Sequence, residues 1–320
     1  MRVYRWDLDK TYLGTDFHPV RGVVRAATEA AHRKRALPGA AVLLRALSNA
    51  DDARVTVVSG SPRQMRSVLI EKLALDGIRV DELVLKDNLT NVRKGRFRAI
   101  RGQFGYKLPA LLRARASTPI ESTELLFGDD VEADALVYSL YADAIAGIVG
   151  AAQLSRVMEL AGAYPDEIDE ALDLLADIAP RNAVRRIFIR QERGVSANRF
   201  SALGARLVPI RSWWQAAAVL NECGDLSDST VEAVMMRVYL MSGRDAWILG
   251  ALAQDMVRRG WVSPAWFEAL PGPKNLVTSV RDSVSRMDLH VIRPPSELLG
   301  PIDYMALLSG GGWGRHGQPE

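Results

Sequence analysis

Cysteine is nearly missing from this chain of 320 residues: Cys223 stands alone. A single thiol cannot close an internal disulfide, which fits a reducing compartment. Histidine is scarce as well, and its four copies are scattered, so no Cys/His set has the spacing of a zinc site. No apolar run reaches the roughly 18 residues that a membrane-crossing helix needs. The chain starts almost directly in its first expected strand, which leaves no room for a signal peptide. Together these absences set the expectation of a cytoplasmic protein. An excess of one charge is lacking too: 41 basic and 38 acidic residues leave +3, too balanced for nucleic acid as the main partner. No internal repeat breaks the pattern. What remains is an ordinary globular composition, 48% hydrophobic and 25% charged, long enough for two domains or for one α/β domain with an appendage.

The stretch that organises the rest is Trp6-Asp7-Leu8-Asp9-Lys10-Thr11. Apolar residues (Val3, Tyr4, Trp6) run into two carboxylates, as in a short buried strand that delivers acids at its carboxyl end. In open α/β sheets that edge is where ligands bind. Within a strand the spacing of two would put Asp7 and Asp9 on one face; in a loop it lets the backbone curl around a cation. Two like charges this close are costly without a metal or a proton between them. Against this stands a plainer reading, a surface turn with Thr11 as a helix cap.

Further along, Arg21–Arg35 has the pattern of a polar helix, and its basic run His32-Arg33-Lys34-Arg35 reads as a solvated face. Leu37-Pro38-Gly39-Ala40 breaks the chain before a helix over 41–47. Arg54–Val58 is a short β-branched strand that ends in Ser59-Gly60-Ser61-Pro62, and a helix pattern resumes over 64–75. Hydroxyls and backbone N–H groups between a strand and a helix make a natural phosphate cradle, with Ser61 expected to cap the following helix. A third strand is expected over 80–85, leading into Lys86-Asp87-Asn88 and a basic loop that includes Lys94. A helix then opens with Gly105-Tyr106-Lys107. The fourth strand, 124–127, runs into Gly128-Asp129-Asp130 and then Asp134, repeating the delivery of paired carboxylates; Asp130 and Asp134, four apart, would share a helix face. Helical periodicity covers 133–178 with one break at Tyr164-Pro165-Asp166. Strands are expected over 186–190 and 206–210, and a helix over 212–222. Alternating strands and helices predict a parallel sheet covered on both faces.

Past Gly224 the texture changes. Leu226-Ser227-Asp228-Ser229 looks like a helix cap, with amphipathic helices over 231–241 and 246–259. The Met and Trp residues beyond are read first as core, with a lipid or partner surface as the lesser reading. The tail from Ser309 is Gly-rich and expected to fray.

The order Asp-x-Asp-x-Thr, strand-Ser, Lys at a helix start, then Gly-Asp-Asp-x-x-x-Asp resembles the haloacid dehalogenase superfamily of phosphotransferases. Four motifs in order are far more specific than any one of them. Within that superfamily, Ser59 to Pro62, Leu85-Lys86-Asp87, Gly105-Tyr106-Lys107 and the Arg186–Ile189 strand resemble the actin-patch-associated phosphatidate phosphatase catalytic domain. The resemblance covers residues 1–222. Asp130 stands where the lipid enzymes are expected to carry a small hydroxyl residue, and Ser59-Gly60-Ser61 where an amide-containing segment is expected; the superfamily chemistry survives both departures, and the lipid substrate is what they put in question.

That resemblance implies an α/β, Rossmann-like parallel sheet with helices on both faces over 1–222; the residues beyond it, which it does not match, read by their own pattern as a C-terminal helical extension (223–308) and a flexible tail (309–320). It implies a Mg²⁺-dependent phosphatase with Asp7 as nucleophile and Asp9 as general acid and base. Ser59, the Gly60 N–H, Thr11 and Lys107 would hold the phosphoryl group. Asp7, the Asp9 backbone carbonyl and Asp129 would ligate the metal, with Asp130 as a further ligand or support and Asp134 orienting Lys107 or metal-bound water. Lys86 and Lys94 are rivals for the Lys107 role. The partner is a phosphorylated substrate, whether lipid, protein or small molecule, with transient membrane-surface contact allowed and no nucleic acid. A phosphoprotein phosphatase and a non-catalytic binding module on the same fold stay open as alternatives.

Overall fold

Six short runs with apolar residues become strands in the computed structural model, which describes residues 1–14, 31–86, 102–131, 133–193, 197–288 and 300–310. They are β1 (Arg2–Trp6), β2 (Ala53–Pro62), β3 (Glu82–Lys86), β4 (Thr123–Asp129), β5 (Val184–Arg190) and β6 (Leu207–Ile210). All pair in parallel in the order β3-β2-β1-β4-β5-β6. The helices are α1 (Ala40–Ser48), α2 (Arg66–Leu75), α3 (Phe104–Ala116), α4 (Asp134–Ile145), α5 (Ala151–Leu160), α6 (Pro165–Ala176), α7 (Trp213–Glu222), α8 (Asp228–Met241), α9 (Ala246–Arg258), α10 (Lys274–Ser285) and α11 (Tyr304–Ser309). The architecture is the expected Rossmann-like α/β sheet. Among the described residues no helix is long and apolar enough to cross a membrane.

Strand alternation sorts the core into two faces. Tyr4, Trp6 and Leu8 share a cluster with Leu43 and Leu44 of α1, Leu69 of α2, and Trp213 and Trp214 of α7. Leu126, Ile187 and Ile189 share the other with Leu108 of α3, Leu136 of α4, Leu154 of α5 and Ile168 of α6. Connections run outward from the β1/β4 boundary in opposite directions, so crossovers of one hand lay α1 and α2 on one face and α4 to α6 on the other. That boundary is the reversal point where such sheets hold their ligands. The first face is an aromatic stack: Trp6 lies on Phe127 with centroids 4.3 Å apart, and Phe127 on Phe188 at 5.2 Å. The C-terminal helices join this same cluster through Val231, Met235, Leu249, Val280 and their neighbours: α8 packs on α1 and α7, and α9 and α10 extend the layer outward. Most of the late Met and Trp residues are packed, but Trp247 is 74% exposed.

The structure departs from the sequence reading in several places. β2 does not end at Val58 but continues to Pro62, because Ser59 and Pro62 both pair with β3, with a register shift between them. The single helix pattern over 133–178 breaks a second time: Gly147 takes φ +74°, and Ile148 N–H returns to Asp143 O at 2.9 Å, a left-handed glycine stop. α10 and α11 fall in the expected helical extension, although the sequence pattern marks neither as a separate helix. Residues 21–30 of the expected polar helix, and Lys94 with its basic loop, lie outside the described residues, as does the tail from 311. Ala31–Arg33 form a 3-10 turn, and Lys34 is buried instead of solvated.

Beneath the sheet's second face runs a buried ionic network. Arg5 donates to Glu124 through Nε (2.5 Å) and Nη2 (3.0 Å), Tyr141 donates to Glu124 at 2.8 Å, and Arg115 approaches at 3.4 Å. Burial pushes the Glu124 carboxyl up, but the Arg5 charge and the hydrogen bonds outweigh it and the net direction is down. A carboxyl lowered on folding stabilises above its unfolded value of about 4.3 and loses that contribution as pH falls through the lower folded value. Glu124→Gln strands a buried guanidinium and is expected to cost about 3–5 kcal/mol at pH 7. The deficit should shrink on acidification below pH about 4. Urea denaturation of both proteins across pH checks this, and equal midpoints at pH 7 would refute it.

Candidate functional site

β1 hands Asp7 to the C-terminal edge of the sheet one residue beyond the strand. Its backbone N–H still donates to Phe127 O of β4 at 2.9 Å, and the alternation that turns Trp6 to the aromatic face turns Asp7 toward α3 and α4. The chain then curls tightly. Tyr12 and Leu13 N–H both return to Leu8 O, Lys10 N–H donates to Leu13 O, and Lys10 adopts φ +60°, a left-handed conformation that costs a non-glycine residue roughly 1–2 kcal/mol. Two side chains from elsewhere grip the curl: Trp213 Nε1 donates to Thr11 O, and Arg190 Nη1 to Lys10 O, each at 3.1 Å.

Opposite Asp7, the first turn of α3 presents Lys107, which is fully buried. Its Nζ lies 2.9 Å from Asp7 Oδ1 and donates a short hydrogen bond to Asp134 Oδ1. Asp134 is the first residue of α4, where a helix N-terminus favours negative charge; its other oxygen accepts from Asp129 N–H at 3.3 Å. Asp129, the last residue of β4, accepts from Thr11 Oγ1 (3.2 Å) and from Val131 N–H (2.6 Å). Gly128 makes this packing feasible. A Cβ there would lie 2.5 Å from Asp134 Oδ2 and 2.8 Å from Tyr138 Cε2, so only hydrogen leaves room. Burial, and then the negative charge of Asp134, push the Tyr138 phenol well above its ordinary range despite Lys107, and it stays neutral.

Asp7, Asp129 and Asp134 each bring one carboxylate oxygen within 4.8 Å of the others, and all three are buried. Three buried like charges around one ammonium are unfavourable unless protons or a further cation balance them. The set can therefore hold a metal ion, and hard carboxylate oxygens suit a small divalent cation.

Four residues singled out in the sequence thus meet: Asp7, Lys107, Asp129 and Asp134. Thr11 joins them through Asp129, neither capping a helix nor lying exposed. Asp9 is partly exposed and faces β2, accepting from Ser59 Oγ at 3.2 Å and Ser61 Oγ at 2.7 Å. Ser61 is therefore no helix cap; the 3-10 turn that follows has Pro62 before it and no side-chain cap. Gly60 sits in the shifted part of β2. Asp130 is directed to the β5 loop, where Oδ1 accepts Glu192 N–H (2.7 Å) and Arg193 N–H (3.1 Å). Lys86 donates to Gly102 O at 2.8 Å and lies over the Tyr106 ring. Sequence reasoning missed the grips of Arg190 and Trp213. They come from 180 and 202 residues away, and no local pattern could reveal them.

Replacing Gly128 with Ala is expected to drive Asp134 off Lys107 and weaken divalent-cation binding at least about 10-fold, the scale seen when groups supporting a metal site are disturbed. Gly150→Ala, whose Cβ would meet nothing within 4 Å, should leave binding unchanged. Titration calorimetry with Mg²⁺ and Mn²⁺ on both variants decides it. Comparison with family models, curated proteins and solved structures yields no match.

Proposed function

We propose that the chain is a Mg²⁺-dependent phosphomonoester hydrolase of the haloacid dehalogenase type, working through an aspartyl-phosphate on Asp7. One observation carries the reading: Asp7, Lys107 and the Asp129/Asp134 pair, from three separated segments, converge on a buried cluster at the β1/β4 edge. A module that only binds has no need of three buried carboxylates around a lysine. Asp7 and Asp129, with the Asp9 backbone carbonyl, would hold Mg²⁺, and Asp134 stands beside them on Lys107. The metal, when bound, supplies positive charge to the phosphoryl oxygens.

The residues then divide the work. A carboxylate oxygen of Asp7 attacks phosphorus in line; the P–O ester bond breaks, and the leaving oxygen takes the bond's electron pair and a proton from Asp9. Water next attacks the same phosphorus, giving its proton to Asp9, and phosphate departs from Asp7. Lys107 offsets the charge that gathers on Asp7 and the transferring group. Ser59 and the Gly60 N–H lie on the strand beside this edge, where they would hold a phosphoryl oxygen. Phosphatidate-like lipid is the substrate that the family resemblance favours, with phosphoprotein as the alternative.

The test is phosphate release from p-nitrophenyl phosphate, phosphatidate vesicles and a phosphoserine peptide, with Mg²⁺ or EDTA, for wild type and Asp7→Asn. The expected result is Mg²⁺-dependent release that Asp7→Asn lowers by at least about 10³-fold, since the nucleophile is lost. The preferred substrate assigns the class. Release that survives Asp7→Asn would falsify the nucleophile assignment.

A further inference from the structure

We infer that Ser61 is a positioning residue for Asp9, and that Tyr106 holds the strand segment that makes this possible. The inference rests on the phosphatase reading above. A regular strand would leave β2 evenly paired with β3, but the ladder jumps from Ser59↔Leu85 to Pro62↔Lys86. Gly60 and Ser61 are extra residues opposite one step of the partner strand, a bulge of the kind that re-aims side chains beside active sites. Its consequence is specific. Ser59 Oγ and Ser61 Oγ both donate to the same oxygen, Asp9 Oδ2, at 3.2 and 2.7 Å, while Ser61 N–H donates back to Ser59 Oγ at 3.0 Å. Ser61 is buried to within 2% and is the closer of the two donors.

The bulge is pinned in turn by α3. The Tyr106 hydroxyl lies 2.5 Å from Ser59 O and 3.0 Å from Val84 O, bridging β2 and β3 where their register slips. Tyr106 directly precedes Lys107. One turn of one helix therefore sets both acids of Asp-x-Asp: Lys107 holds Asp7 by an ion pair, and Tyr106 holds the bulge whose serine holds Asp9. Ser61 touches no reacting atom in this scheme. It fixes the direction from which Asp9 delivers its proton as the P–O bond breaks.

A merely structural serine would affect all substrates alike, so the test varies the leaving group. kcat/KM reports the first phosphoryl transfer. Proton delivery matters to it when the leaving group is a poor one, such as the alkoxide of butyl phosphate. It matters little when p-nitrophenolate leaves. Ser61→Ala is expected to lose about 10- to 100-fold in kcat/KM on butyl phosphate, the cost of a misaligned catalytic group, and less than about 3-fold on p-nitrophenyl phosphate. Ser61→Thr, which keeps the hydroxyl, should restore the ratio. Tyr106→Phe should shift it in the same direction by a smaller factor, and this single-hydroxyl change decides the matter if Ser61→Ala does not fold. Equal losses on both substrates, or none, overturn the inference and leave the phosphatase reading standing. A wild type inactive on both substrates removes that reading, and the inference with it.

Discussion

The ion pair between Lys107 and the carboxylates of Asp7 and Asp134 is the interaction on which the rest of the site depends. All three groups are essentially removed from water, where an unpaired charge would cost several kcal/mol. The fold cannot place Asp7 at the end of β1 without also placing Lys107, and it cannot bury Lys107 without Asp134. This ties three elements that are remote in sequence, the end of β1, the start of α3 and the start of α4, to one point. Gly128 belongs to the same constraint, because the carboxylate of Asp134 occupies the space any side chain there would need.

The second face of the sheet repeats this device one layer down. Arg5 and Asp7 are two residues apart and point the same way. Below Asp7–Lys107–Asp134 sits Arg5–Glu124, joined by Arg115 and Tyr141. α3 contributes to both layers, with Lys107 above and Arg115 two turns below; α4 does the same with Asp134 and Tyr141. α3 is thus pinned to the end of β1 through Asp7 and to β4 through Glu124, and α4 is pinned to β4 twice, at Asp129 and at Glu124. Apolar packing alone tolerates small slides of a helix over a sheet, whereas paired buried charges do not, because each slide leaves a charge unpaired. The opposite face needs no such register. There Trp6, Phe127 and Phe188 stack, Trp213 of α7 leans on Trp6 at a tilt, and α8 to α10 add to the same apolar cluster.

Much of this was legible in the sequence, and for identifiable reasons. The six strands are short runs with apolar residues, followed by turn residues, and their alternation with helices leaves little choice but a parallel sheet. Asp7 and Asp129 stand out because carboxylates at the ends of apolar strands have no local structural purpose, whereas Asp134, a first-turn acid that the helix N-terminus favours anyway, is marked only by its spacing from Asp129. Lys107 was harder, since a lysine at a helix start is common; only the neighbouring Gly105-Tyr106 marked it. What stayed hidden depends on tertiary contacts. Ser61 looks like any cap before a helix until β3 is seen to pair on both sides of it. α11 is six residues long and is held by Tyr304 on Asp143, 161 residues away, a partnership no window could detect. Lys34 in a basic run reads as solvated until its burial is known.

Asp130 is the instructive case. In sequence Asp129 and Asp130 look like an equivalent pair, an echo of Asp7 and Asp9. In the fold they face different tasks, because successive residues at a strand end point to opposite sides. Asp129 turns into the carboxylate cluster. Asp130 turns toward β5 and accepts two backbone N–H groups of the loop at Glu192 and Arg193. The end of β5 sends Arg190 back to the carbonyl of Lys10, and Trp213 takes the next carbonyl along the same curl, that of Thr11. The loops after β1, β4 and β5 are therefore fastened to each other by groups that carry no part of the chemistry. A strained backbone at Lys10 persists because this fastening over-determines it. The curl that carries Asp9 is thereby held against the edge of β2, and the serines of the bulge can reach it.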